Sequence, residues 1–234
     1  MARVLDYTAR KHAPGWDVSV EEVYPRTLQS AMGNISHARN AEKAVEWERI
    51  VNAAPEGQRL LIIDVDMFVT SCLDSIWDTP FDVMITTKES RFPWNSGVVA
   101  IRAGAKARGF FAQWTRESLR LLGNSADHQQ WRKKYGGLHQ AALGACLEGG
   151  MVERLGLNIA RLPCDLWNCE DSGWEKFDPA VTKLVHVKSS LRLAVFHMAA
   201  GGSMARTRRL AALWRTEEIE MTAGRSSESV VLSS

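Results

Sequence analysis

The stretch LLIIDVDMFVT, Leu60 to Thr70, carries the most chemistry in this sequence. An apolar run leads directly into Asp64, Val65 and Asp66, so a buried strand would deliver two carboxylates at its C-terminal end, where open α/β sheets bind their ligands. Alternation along an extended chain puts both carboxylates on one side. Two adjacent carboxylates repel each other unless something positive sits between them. Hard oxygen donors favour Mg²⁺ or Mn²⁺, usually with a diphosphate completing the shell. In the plainer alternative, one Asp caps a turn and the other is solvated.

The elements that must position this pair can be read from periodicity. A first helix ends near Pro14 and Gly15, and DVSVEEV (Asp17 to Val23) alternates as a half-buried strand does. Ser36 caps a helix running to about Ala54, with Trp47, Ile50, Val51 and Ala54 on one face, and Pro55 and Gly57 stop it. RLLIID (Arg59 to Asp64) then reads as a strand buried on both faces of a mainly parallel sheet. FDVMITT (Phe81 to Thr87) and SGVVAIR (Ser96 to Arg102) are two more strands around the loop KESRFPW.

Helices follow over Ala105 to Leu122, Asp127 to Tyr135 and LHQAALGACLE, then the strands NIARLP and TKLVHVK, and a basic helix from Gly201 to Trp214. From Glu217 the chain turns Ser-rich and aperiodic, which predicts a flexible tail over 217–234 behind a single domain of 1–216. Strands alternating with helices predict an α/β layered fold with a mainly parallel central sheet.

Composition narrows the function classes. With 45% hydrophobic and 24% charged residues over 234 positions, the chain is neither disordered nor collagen-like. A net charge of +2 gives no reason to expect a nucleic-acid or anionic-membrane binder, so any anion must be met locally. No run approaches the ~18 apolar residues of a transmembrane helix and the start lacks a signal-peptide core, so the expected location is the cytoplasm. Cys72, Cys146, Cys164 and Cys169 show neither CxxC pairing nor zinc spacing and read as buried, reduced thiols. Tryptophan is abundant at 9 residues, and flat rings suit either sugar stacking or the core.

Four later segments extend the aspartate pair: WNSGVVAIRAG (Trp94 to Gly104), LHQAALG from Leu138, LPCDLWNCE (Leu162 to Glu170) and KLVHVKSSLR (Lys183 to Arg192). Taken in this order after the two aspartates, they resemble the nucleotide-diphosphosugar transferases of the GT-A fold, especially the small DxD glycosyltransferases with a late His-x-Lys, over roughly residues 15 to 195.

The resemblance implies a three-layer α/β/α Rossmann-like fold and a metal-dependent enzyme. Such an enzyme moves a hexose from a nucleotide diphosphosugar to an acceptor, which would be a glycan, a lipid-linked sugar or a protein. It makes Asp64, Asp66 and His186 the ligands of Mn²⁺ or Mg²⁺, and places Lys188, on the same side of an extended chain as His186, against the departing diphosphate. By the resemblance Asn95, Ser96 and Gly97 meet the donor sugar, the glycine allowing close backbone approach, and Lys88 is a candidate phosphate contact; the plainer alternatives are a turn from Pro93 to Gly97 feeding a strand and a solvated loop lysine.

His139 and Gln140 stand where relatives often carry an Asp-Gln pair near the reacting carbon, which makes them catalytic candidates beside Asp64 and Asp66, with His in the acidic member's place. Trp167 and Asn168 fall in the loop that lines the acceptor side, where an aromatic face can stack on a sugar; in the plainer alternative Trp167 closes the core. In the family a first strand and its loop hold the nucleotide base, whereas this sequence opens almost directly with a helix, so the expectation is either a shortened nucleotide half-site over Met1 to Ala13 or a further N-terminal piece ahead of it.

Two other readings use the same residues. A haloacid dehalogenase-like phosphatase also ends a buried strand in DxD and would use Asp64 as nucleophile and Thr87 as its second motif, but no later acidic pair follows a hydrophobic strand. A non-catalytic nucleotide- or sugar-binding module would bind without turnover. No GxGxxG, GxxxxGK[ST], GxSxG or HExxH is present.

Overall fold

Among the described residues two α-helices are followed by four strands and then four α-helices, and the alternation of strand with helix that the periodicity predicts begins only after residue 158. The computed structural model describes residues 1–21, 35–89, 93–171, 173–196 and 205–228. In chain order the elements are α1 (Ala2–His12), α2 (Ile35–Ala53), β1 (Arg59–Ile63), β2 (Met67–Val69), β3 (Val83–Thr87), β4 (Trp94–Arg102), α3 (Ala105–Gly123) and α4 (Ser125–Tyr135). There follow α5 (Leu138–Glu148), α6 (Met151–Leu155), β5 (Ile159–Pro163), α7 (Cys164–Trp167), β6 (Leu184–His186), α8 (Ser189–Phe196) and α9 (Ala205–Glu228). The chain divides into two units whose segments interleave in sequence. One comprises Met1–Val20, Asp64–Ser75 and Cys164–Ser234, the other Glu21–Ile63 and Ile76–Pro163.

The second of these units holds a four-stranded sheet in the order β1-β4-β3-β5. Its pairing is mixed rather than mainly parallel: β3 and β5 run parallel, while β1–β4 and β3–β4 are antiparallel. The reason is connection length. Six residues join β3 to β4, enough for a hairpin but too few for a parallel crossover. Among the described residues β1 is consequently the edge strand of this sheet, with a part-exposed face, not a strand buried on both sides.

Trp47 and Val51 of α2, Phe110, Phe111 and Trp114 of α3, and Ala141 and Leu143 of α5 pack against Val83, Ile85, Val99 and Ile101 of the sheet. Gly144 lets α4 lie close on α5, because a Cβ there would sit 2.2 Å from the Tyr135 ring. Most of the abundant tryptophans are core: Trp47, Trp114, Trp167, Trp174 and Trp214 are all buried.

The first unit is built on the antiparallel pair β2–β6. Phe68 meets the Trp214 ring edge-on at 5.5 Å, inside a core that includes Val4, Val185, Val187, Leu191 and Leu210. Thr8 of α1 accepts a hydrogen bond from the Val69 amide at 3.1 Å. The expected loose tail does not begin at Glu217. α9 continues to Glu228, because Glu217 is buried and ion-paired with Lys11 at 3.0 Å and Met221 is buried beside it.

Residues 17–21 form no strand despite their alternation, since no strand among the described residues pairs with them, and 22–23 lie outside the described residues. So do 90–92 of the KESRFPW loop and 201–204 ahead of α9. The four cysteines are thiols, and Cys72 is exposed, not buried. Burial pushes the Cys146 and Cys169 thiols up to about 12, which makes them inert. No described helix is long and apolar enough to cross a membrane.

Candidate functional site

Asp64 and Asp66 occupy the turn between the end of β1 and the start of β2. The antiparallel register sets Met67 opposite His186, and the Val187 amide donates to the Asp66 carbonyl at 2.7 Å. Residues 120 positions apart are thereby locked side by side. One ligand atom from each of Asp64, Asp66 and His186 falls within 4.8 Å of the others. His186 Nε2 lies 3.1 Å from Asp66 Oδ1, and His186 Nδ1 donates to Asn168 Oδ1 at 2.9 Å. That second bond fixes the ring and turns Nε2 toward the carboxylates, the arrangement by which outer partners orient a ligating imidazole.

Asn168 is wholly buried and Trp167 nearly so. The cause is local: α7 lasts only one turn, after which Cys169 bridges in parallel to Val185 and draws Asn168 under His186. Asn168 is thus a positioning residue for the histidine. Two further residues escaped the sequence reading. Lys188 is ion-paired with Glu170, a carboxylate only 2% exposed, and Arg192 of α8 is ion-paired with Asp66 Oδ2. Both partners stand inside the segments quoted for the resemblance, but nothing in spacing reveals an ion pair across distant segments. Burial pushes the Asp66 carboxyl up, yet the His186 hydrogen bond and charge and the Arg192 guanidinium outweigh it and hold Asp66 below the usual carboxylate value.

The remaining candidates lie in the other unit. Between Ile85 and Thr86 the β3–β4 register jumps from Val99 to Asn95, so Ser96, Gly97 and Val98 bulge away from β3. Asn95 Oδ1 accepts from the Gly97 amide at 2.9 Å and stabilises the bulge. Gln140 donates to the Trp94 carbonyl, and the Lys88 amide donates to the Pro93 carbonyl at 2.9 Å.

His139 is 2% exposed; its Nδ1 shares a 3.0 Å hydrogen bond with Ser96 Oγ, its Nε2 is buried with no hydrogen-bond partner, and its ring stacks on Trp114 at 4.3 Å. It therefore sits as a core histidine, enclosed because α5 starts against Trp47 and Trp114. A cavity of about 320 Å³ in this unit, where β3 begins and β4 ends, is lined by Trp77, Phe81 and Arg102. Arg102 lies over both rings and donates to the Trp77 carbonyl, so those groups are committed to one another.

Burial lowers His139 well below the ordinary histidine value. The folded chain cannot take up the proton that the unfolded chain binds near pH 6.5, so stability is full above about pH 7 and falls as the pH drops through that value. His12, His37 and His128, also lowered by burial, act in the same direction. His139→Gln should flatten part of the decline between urea midpoints taken at pH 7.5 and 5.5; an unchanged slope would show that His139 is not held neutral.

No protein-family model matches the chain, and none of the curated proteins does. Solved structures do. The chain matches the crystal structure of a glycosyltransferase involved in the glycosylation of the major capsid of PBCV-1 with a TM-score of 0.55 and 14% identity, over 80% of this chain and 87% of that one. Weaker likenesses join it to galactosyltransferase LgtC in complex with donor and acceptor sugar analogs (TM-score 0.45, 14% identity, 90% and 82% covered) and to mouse xyloside xylosyltransferase 1 in its apo form (0.36, 12%, 68% and 68%). The fold is that of the GT-A glycosyltransferases, and the first comparison carries that statement.

Proposed function

We propose that the chain is a metal-dependent glycosyltransferase that moves a hexose from a nucleotide diphosphosugar to an acceptor. The observation that carries this reading is the convergence of Asp64, Asp66 and His186 within 4.8 Å on a GT-A-type fold. The donor set fits the ion: two carboxylates and an imidazole nitrogen, oriented by Asn168, suit Mn²⁺ or Mg²⁺. A cation bound there supplies positive charge to the diphosphate as it leaves.

The protein's own groups do the rest. Asn168 keeps the His186 ring turned, and the buried Glu170 carboxylate fixes the Lys188 ammonium, which we assign to the diphosphate. Asn95, Ser96, Gly97 and Gln140 are assigned to the donor sugar and Lys88 to phosphate on the resemblance, and His139 holds the Ser96 hydroxyl in place. The exposed Cys72 thiol supports a reducing compartment, such as the cytoplasm.

The test is thermal unfolding with a panel of nucleoside diphosphates and nucleotide sugars, with and without Mn²⁺, followed by assay of nucleoside diphosphate release. A ligand at one hundred times its Kd stabilises by about 2.7 kcal/mol, and Asp66→Asn should abolish the Mn²⁺-dependent part of that gain. Should the variant retain the full gain, Asp66 is structural and the reading fails. Phosphate release from a simple phosphomonoester, lost in Asp64→Asn, would favour the phosphatase instead.

A further inference from the structure

Both oxygens of Asp66 are spoken for within the protein. Oδ1 faces His186 Nε2 at 3.1 Å and Oδ2 takes Arg192 Nη2. Arg192 is aimed there by its backbone setting: Ser189, the single described non-glycine residue with positive φ, at 46°, turns the chain sharply out of Lys188 into α8. Three residues after Ser189, Arg192 returns over the strand end, and its Nε donates to the Val187 carbonyl at 3.2 Å. The guanidinium therefore already neutralises the carboxylate that a divalent cation held with Asp64 and His186 would need. Two cations on one carboxylate repel, so Arg192 and a divalent ion oppose each other there. With its side chain half exposed, Arg192 can swing out, whereas Lys188 is anchored on buried Glu170.

We propose that Arg192 is a positioning residue that competes with the metal for Asp66: its guanidinium serves as the counter-ion of the carboxylate pair and is displaced when a divalent cation enters, so that Arg192 sets how weakly the centre holds its ion. The proposal rests on the metal-centre reading above. It makes a demand that a merely structural arginine would not meet, because removing it must raise metal affinity, whereas damage to the fold lowers it.

The experiment titrates Mn²⁺ alone, followed by the electron paramagnetic resonance signal of the free ion, into the full chain and its Arg192→Gln, Arg192→Met and Arg192→Lys variants. A charge-assisted contact screened by partial exposure gives a Kd for Mn²⁺ about tenfold tighter in Arg192→Gln and Arg192→Met. Arg192→Lys keeps the charge and stays within about threefold of the parent. Equal or weaker affinity in both neutral variants overturns the competition and leaves the metal centre standing. Absence of Mn²⁺ binding in the parent and in every variant overturns both.

Discussion

Lys188→Ala is expected to lower the free energy of unfolding by about 3 kcal/mol, an effect of breaking a buried ion pair and not of losing a ligand contact. Glu170 is almost fully enclosed, and its ion partner is the Lys188 ammonium, whose side chain is itself about one-third exposed. Removing the lysine takes the ion partner from a carboxylate that water reaches poorly, and breaking such a pair costs far more than a surface pair contributes. The double variant Lys188→Ala/Glu170→Gln removes that carboxylate charge as well and should recover to within about 1 kcal/mol of the parent.

Urea denaturation of the three proteins measures this, and a Lys188→Ala variant as stable as the parent would show that Glu170 is satisfied without the lysine. The double variant then reports on function. If Lys188 meets the diphosphate as proposed, the restored protein still binds nucleoside diphosphate and Mn²⁺ about tenfold more weakly, the share of a charge-assisted contact left after screening.

That separation matters because Lys188 was legible in the sequence as a cation two residues from His186, while its partner was not. Alternation along TKLVHVK places His186 and Lys188 on one side of a strand, but the pairing of Lys188 with Glu170 depends on the bridge between Cys169 and Val185, a tertiary contact without periodic trace. Asn168 shows the same limit from the other direction. A polar residue beside a tryptophan in a loop reads as a ligand contact, and only the one-turn α7 and the bridge after it reveal that both side chains turn inward.

The aspartate pair itself was legible, because an apolar run ending in DVD needs no distant information. Its meeting with His186 required the β2–β6 register, which three-residue strands are too short to announce. Strand direction failed for a related reason. The apolar run of β1 satisfies the pattern of a strand buried on both faces, yet the short β3–β4 connection puts β4 between β1 and β3 and leaves β1 at the edge.

Trp114→Ala should destabilise the sheet-bearing unit by about 4 kcal/mol, at the upper end of single-residue effects, because the indole is fully buried and neighbours of its size cannot collapse into the space. Trp47, Phe110, Phe111 and His139 surround it with ring centroids between 4.3 and 5.7 Å, and its Nε1 donates to the His139 carbonyl at 2.9 Å. The substitution therefore removes aromatic contacts and a buried hydrogen bond together, and frees the His139 ring that holds Ser96 Oγ. Trp114→Phe retains most of the packing and loses the donor, for a cost of about 1.5 kcal/mol. Denaturant unfolding followed by far-ultraviolet circular dichroism gives both values. A Trp114→Ala cost below about 2 kcal/mol would mean that the site relaxes and that the aromatic cluster does not brace the Asn95–Gly97 bulge. If it does brace the bulge, Trp114→Phe, still folded, should leave Mn²⁺ binding at Asp64, Asp66 and His186 unchanged while weakening recognition of the donor sugar, since the metal ligands belong to the other unit.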